Sequence, residues 1–215
     1  MLKFIVADDH AVVRQGIKQI LSAKMENVTV VEAQSANEVM LLIQQRGWDL
    51  LILDIGMPGR SGLEVLNEIR SNTSPPPILV LSMYPEDQMA QRVLKAGADG
   101  YLTKDSAPEA LVLAVRKILS GGKYVSSSFA ERIVSNMQKG IPEQPHNALS
   151  NREYEVMRLI ALGKTVSQVA QQLSLSVKTV STYRARILNK MGMETNAELI
   201  HYAVRNGLMD ERGYE

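Results

Sequence analysis

Five short aliphatic runs punctuate the first half of the chain: LKFIVA (2–7), VTVVEA (28–33), LLILD (50–54), ILVLS (78–82) and GYLT (100–103). They are nearly continuous in apolar residues, the pattern of strands buried on both faces. Between them the apolar period changes to that of a helix. VVRQGIKQIL places Val13, Ile17, Ile20 and Leu21 on one face, and ANEVMLLIQQ, LEVLNEIR, EDQMAQRVLKAG and PEALVLAVRKIL behave alike. Gly97 suits the position just past a helix end, and Pro108 suits a first turn. Strands alternating with helices predict an α/β domain over residues 1–120, built on a five-stranded parallel, doubly wound sheet.

After Gly121-Gly122 the pattern changes. SSSFAERIVSNMQ (126–138) predicts an amphipathic helix inside a linker segment, 121–148. KGIPEQPHNA (139–148), with its prolines and few apolar residues, predicts the flexible part of that linker, long enough for an open or a closed arrangement. Residues 149–215 contain no strand-like run and form an all-α domain, with helices predicted at 151–161, 166–173, 177–191 and 196–207. LSLS (173–176) is the tight connection, and Ser176 is a good N-cap. A helix–turn–helix followed by a basic helix is a DNA-binding layout.

At about 100° per residue, Val177, Val180, Tyr183, Ile187 and Met191 share one face of 177–191 and should pack inward. Lys178, Ser181, Thr182, Ala185, Arg186 and Asn189 occupy the other. Small side chains and hydroxyls there let a helix approach base edges, while lysine and arginine reach phosphates. Charge sharpens this picture. The whole chain carries a formal net charge of only +1, yet residues 163–192 hold Lys164, Lys178, Arg184, Arg186 and Lys190 and no acidic residue. An anionic partner met by one element follows. The chain has no cysteine, which excludes disulfides and thiolate chemistry. No apolar run reaches the roughly 18 residues of a membrane helix, and MLKFIVADDH reads directly as a strand, so a cytoplasmic protein is expected.

In an open parallel sheet, ligands bind at the carboxyl ends of the strands. Strand one ends in Asp8-Asp9, strand three in Asp54, strand four in Ser82, and strand five runs to Thr103-Lys104. Converging carboxylates repel and ask for a cation. Few, partly wet oxygen ligands favour magnesium. Each group also has a plainer reading: Asp8-Asp9-His10 as a helix cap, Asp54 as a turn cap, Tyr101 as strand core, Lys104 as a surface lysine. An aspartyl phosphohydrolase would want a second carboxylate where Gly56 stands, and no glycine-rich phosphate loop is present. A protein-docking module that binds no DNA is a further alternative, opposed by the acid-free basic helix. His10, His146 and His201 are scattered without metal-ligand spacing.

The set VADDH, LLILDIGMPGRSG, LVLS and GYLTKD resembles the receiver domain of two-component response regulators. The resemblance implies that a sensor histidine kinase phosphorylates Asp54. Asp8, Asp9, Asp54 and the backbone carbonyl of Gly56 would hold Mg2+, Lys104 would pair with the phosphoryl oxygens, Ser82 would be the switch hydroxyl and Tyr101 the aromatic that reorients. Asp105 follows Lys104 where many receivers have proline in a cis bond, and Tyr84 stands at the rim beyond Ser82. SNREYEVMRLIALG, VAQQL, LSVKTVSTYRARILNKMG and AELIHYAV are similar to the LuxR-type helix–turn–helix of NarL/FixJ response regulators, and Tyr183 within KTVSTYRARI resembles the GacA/UvrY-like branch. This second resemblance implies that Ser181, Thr182 and Ala185 face bases while Lys178, Thr179 and Arg184 lie near phosphates, with Arg186 and Asn189 on the same face. Helix 196–207 would pair two copies on double-stranded DNA. The function implied is a phosphorylation-controlled, homodimeric transcription factor. RNA polymerase is a further partner, and the only catalysis is the chain's own phosphorylation and dephosphorylation.

Overall fold

The structure, a computed structural model, describes every residue except 58, 59, 61, 72, 73, 139–143 and 210–215, and only the backbone of 136 and 137. Pro58, Gly59 and Ser61 of the turn after Asp54, residues 139–143 of the predicted linker and the end of 149–215 lie outside the described residues. The chain separates into two compact units, Met1–Asn136 and Met137–Glu215.

In the first unit the aliphatic runs are the strands: β1 (Leu2–Ala7), β2 (Val28–Ala33), β3 (Leu50–Asp54), β4 (Ile78–Ser82) and β5 (Gly100–Thr103). The helices are α1 (Ala11–Lys24), α2 (Ala36–Ile43), α3 (Gly62–Arg70), α4 (Glu86–Lys95) and α5 (Pro108–Leu119). All strand pairs are parallel, in the order β2-β1-β3-β4-β5. The chain reverses its winding between β1 and β3, so the carboxyl ends of these two strands open a crevice. Every residue of β3 and β4 is buried, which is why neither run alternates with polar residues. On one side Phe4, Val6, Ile52 and Leu79 pack with Ile17 and Leu21 of α1 and Ala114 and Ile118 of α5. The alternate residues Ile5, Leu51, Leu53, Val80 and Tyr101 are buried on the other side.

Two local features position the loops around the crevice. A Cβ on Gly62 would lie 2.3 Å from the Cα of Ile55, so the start of α3 presses on the chain leaving β3 where no side chain fits. Beyond α5, Tyr124 runs alongside β5: its carbonyl accepts from the Tyr101 amide at 3.0 Å and its amide donates to Asp99 at 2.8 Å. The next helix, α6 (Ser127–Gln138), is capped by Ser126, whose hydroxyl accepts from Phe129 N at 3.1 Å. Glu86 of α4 accepts the Ser126 amide at 2.8 Å, and Arg132 meets Asp87 at 3.4 Å.

The second unit begins with a short 3-10 turn, Pro145–Ala148, followed by α7 (Asn151–Ala161), α8 (Val166–Gln172), α9 (Val177–Met191) and α10 (Asn196–Arg205). Ser150 with Glu153 and Thr165 with Gln168 form reciprocal capping boxes, while Ser176 and Thr195 cap the last two helices. Gly192, at φ 65°, ends α9 in the left-handed conformation. Helix α10 stops at Arg205, two residues short of the prediction, because Asn206 caps it and Gly207 turns to φ 65°. Val180, Ile187 and Met191 pack inward as the periodicity predicts, but Val177 is 51% exposed, since it opens the helix ahead of the turn that meets α7 and α8. Among the described residues no helix is long and apolar enough to cross a membrane.

Two substitutions test this architecture. Gly62→Ala should destabilise the first unit by about 1–3 kcal/mol, read by denaturant unfolding through Trp48, the single tryptophan. Ser150→Ala removes one half of the α7 box and should cost about 1 kcal/mol, read by backbone circular dichroism of the second unit's transition.

Candidate functional site

The strand ends bring Asp8, Asp54 and Lys104 into direct contact. Asp8 is 1% and Asp54 3% exposed. Lys104 Nζ lies 2.7 Å from Asp54 Oδ2 and 2.7 Å from Asp8 Oδ2, so one buried ammonium bridges two buried carboxylates. The other Asp54 oxygen, Oδ1, accepts the Gly56 amide at 2.8 Å, so the turn-cap reading of Asp54 holds alongside the ion pair. Lys104 is held by the strand ladder, its amide donating to the Ser82 carbonyl at 2.8 Å. No peptide bond among the described residues is cis, Lys104-Asp105 included.

Asp9 sits at the rim, its side chain 29% exposed, and His10 stands beside it. The helix-cap reading of this triplet is not what the structure has: His10 is the N-cap of α1 and makes no side-chain cap hydrogen bond. Its Nδ1 instead lies 3.1 Å from Asp8 Oδ1 and 3.0 Å from Asp9 Oδ1. Spacing along the sequence gave His10 no place in the site. The signal for it is adjacency to two strand-end carboxylates. Arg14 donates to the Asp8 carbonyl at 2.6 Å and pairs with Glu32 at 3.2 Å, which fixes the backbone beneath the cluster.

The donor set fits a divalent cation. Asp8, Asp9 and Asp54 offer three negative charges against one from Lys104, leaving about two uncompensated. Ligand atoms of Asp8, Asp9, His10 and Asp54 all lie within 4.8 Å of one another. The Oδ1 of Asp9 is buried and receives no aligned hydrogen bond. Burial pushes the Asp54 carboxyl above its ordinary range and the charge of Asp8 adds to this; Lys104 and the Gly56 amide oppose without overcoming it. Burial alone would lower the Lys104 ammonium, but the charge of Asp54 and the hydrogen bonds to both carboxylates raise it instead.

Behind the cluster, the Ser82 hydroxyl accepts the Tyr84 amide at 3.2 Å, and the Tyr101 hydroxyl donates to the Tyr84 carbonyl at 2.6 Å. Tyr101 is fully buried. Tyr84 is not the rim residue expected of it: it is 8% exposed, whereas Met83, one position earlier, is 45% exposed.

In the second unit Lys178, Ser181, Thr182, Ala185, Arg186 and Asn189 are all exposed along one face of α9. Thr179 is half-buried and shares a 2.7 Å hydrogen bond with Ser176. Arg184 is half-buried, its Nε donating to Asn196 Oδ1 at 2.6 Å. Two cations of the basic stretch have partners within the unit. Lys190 pairs with Glu153 of α7 at 2.7 Å and Lys164 bonds Gln172, so Lys178 and Arg186 are the exposed cations of the α9 face.

Residues 4–116 match the response regulator receiver domain, and residues 147–203 match the bacterial regulatory proteins of the luxR family. Response regulator UvrY of Escherichia coli is 35% identical over 209 residues, covering 97% of this chain and 96% of that protein. Response regulator GacA of Pseudomonas aeruginosa is 34% identical over 212 residues, covering 98% and 99%. A solved structure of RcsB from Salmonella enterica serovar Typhimurium, bound to promoter rprA in the presence of phosphomimetic BeF3-, is 28% identical with a TM-score of 0.66, covering 95% of this chain and 99% of that one. The chain therefore belongs to the NarL/FixJ-type response regulators, transcription regulators that join a receiver domain to a LuxR-type helix–turn–helix DNA-binding domain.

Proposed function

We propose that Asp54 accepts a phosphoryl group from a sensor histidine kinase and that this controls pairing of the chain on promoter DNA. The observation that carries the reading is the contact of Lys104 Nζ with both Asp54 and Asp8 at 2.7 Å, a cation held directly beside the acceptor. An Asp54 oxygen attacks the phosphorus of the kinase phosphohistidine; the new O–P bond forms as the P–N bond breaks, and imidazole leaves with the bonding pair. The incoming group carries roughly −1.5 to −2 charge. Lys104 then moves from the carboxylate to the phosphoryl oxygens. Asp8, Asp9, Asp54 and the Gly56 carbonyl would hold Mg2+, which when bound offsets charge developing on the phosphoryl group.

The Ser82 hydroxyl donates to a phosphoryl oxygen and gives up the Tyr84 amide. That amide and the Tyr84 carbonyl, which holds Tyr101, belong to one residue, so movement at Ser82 reaches Tyr101 and the start of α4. On DNA, Ser181, Thr182, Ala185 and Asn189 face base edges, while Lys178, Thr179, Arg184 and Arg186 meet phosphates. Two copies pair through α10, because one recognition helix reads too few base pairs for operator specificity. RNA polymerase is the next partner of a promoter-bound dimer, and the cytoplasm is where such a chain meets all three.

Incubation with a phosphorylated histidine kinase and Mg2+ should give one acid-labile phosphate per chain. Asp54→Ala should give none, and a stoichiometric phosphate on that variant would overturn the assignment. Lys178→Ala should weaken operator and random DNA alike and lower the salt slope of binding by about 1, measured by fluorescence anisotropy. The raised Asp54 pKa also has a sign. Stability from the protonated carboxyl is complete below the unfolded value, near 3.8, and is lost as pH rises through the higher folded value. Asp54→Asn should therefore melt above the parent at pH 7 without magnesium, with the gain vanishing as pH falls below about 4. A lower melting point at pH 7 would contradict it.

A further inference from the structure

We propose that His10 is a ligand of the divalent cation, and that it biases the site from magnesium towards transition metals such as Mn2+. The inference rests on the cation-site reading above and adds a nitrogen donor to its oxygen set.

Three observations carry it. First, His10 Nδ1 lies 3.1 Å from Asp8 Oδ1 and 3.0 Å from Asp9 Oδ1. In an octahedral shell with bonds of 2.0–2.1 Å, neighbouring ligand atoms are about 3 Å apart. The imidazole nitrogen and the two carboxylate oxygens thus already hold the mutual spacing of three adjacent ligands. Second, the ring's hydrogen bond goes to Asp8 Oδ1, and the Nδ1 contact leaves the buried Asp9 Oδ1 without a hydrogen-bond partner, an oxygen open to a cation. Third, the backbone fixes the ring from below. The His10 amide donates to Asp8 Oδ1 at 2.8 Å, and the residue is the extended N-cap of α1, at φ −85° and ψ 110°, which returns its side chain to the strand end. The side chain remains 53% exposed, open to a cation arriving from solvent.

The chemistry follows from the donor types. Magnesium takes oxygen ligands and keeps several waters. An imidazole nitrogen in place of one of those waters gains little with magnesium and more with the first-row transition ions, from Mn2+ upward. His10 would therefore act as a specificity-determining ligand, leaving the carboxylates and the phosphoacceptor unchanged.

The test uses the full chain with one equivalent of Mn2+, read by electron spin echo envelope modulation. The expected result is nitrogen modulation from a directly bound imidazole, lost in His10→Ala and retained in His201→Ala. By calorimetry, His10→Ala should weaken Mn2+ at least about tenfold while changing Mg2+ about twofold or less. Bound Mn2+ without nitrogen modulation, or equal losses for both ions, would overturn the role of His10 and leave the oxygen site standing. Failure of the full chain to bind Mn2+ at all would overturn the inference and the cation-site reading together.

Discussion

A buried ammonium between two buried carboxylates organises the first unit. Lys104, Asp8 and Asp54 come from three strands, and none could stay charged in that position without the others, because an unpaired ion in such surroundings loses several kcal/mol of solvation. The pairing is incomplete in number: two carboxylates meet one lysine, and Asp9 adds a third at the rim. The sheet topology enforces the shortfall, since parallel neighbours β1, β3 and β4 with β5 must deliver their last residues to the same edge. The charge crowding that readies the site for a cation or a phosphoryl group is thus also what costs the resting fold stability at Asp54.

Much of this was legible in the sequence. The strands announce themselves because parallel strands covered on both faces need no polar alternation, and LLILD running into Asp54 is unambiguous for that reason. The acidic strand ends could be placed together once the winding was known. What remained hidden depends on distances that no periodicity encodes. The turn of His10 back towards Asp8 and Asp9 follows from its φ and ψ at the start of α1. The approach of Gly62 to Ile55 is a backbone contact, invisible until the loop is folded. Tyr84 looked like a rim residue by its place after Ser82, yet its carbonyl receives Tyr101 and its ring is buried.

The second unit shows a similar division. Caps and apolar spacing located its helices, and the wheel of α9 separated an exposed face from a buried one. The charge run around it includes cations that also serve the fold. Lys190 belongs to the fold, tied to a Glu153 that also closes the α7 capping box and whose pKa, despite burial, is held low by Lys190 and Ser150. A single glutamate thus serves as helix cap and as cross-link to α9.

The stretch through Tyr124 has a consequence for the molecule's behaviour in a crowded solution. A parallel sheet ends in two rows of unpaired amides and carbonyls, and an unpaired row is a template on which another chain can add a strand. At the start of β5 the protein occupies that row with its own backbone, through the Tyr101–Tyr124 and Tyr124–Asp99 hydrogen bonds. The start of the strand that leads to Lys104 is thereby closed to a foreign strand.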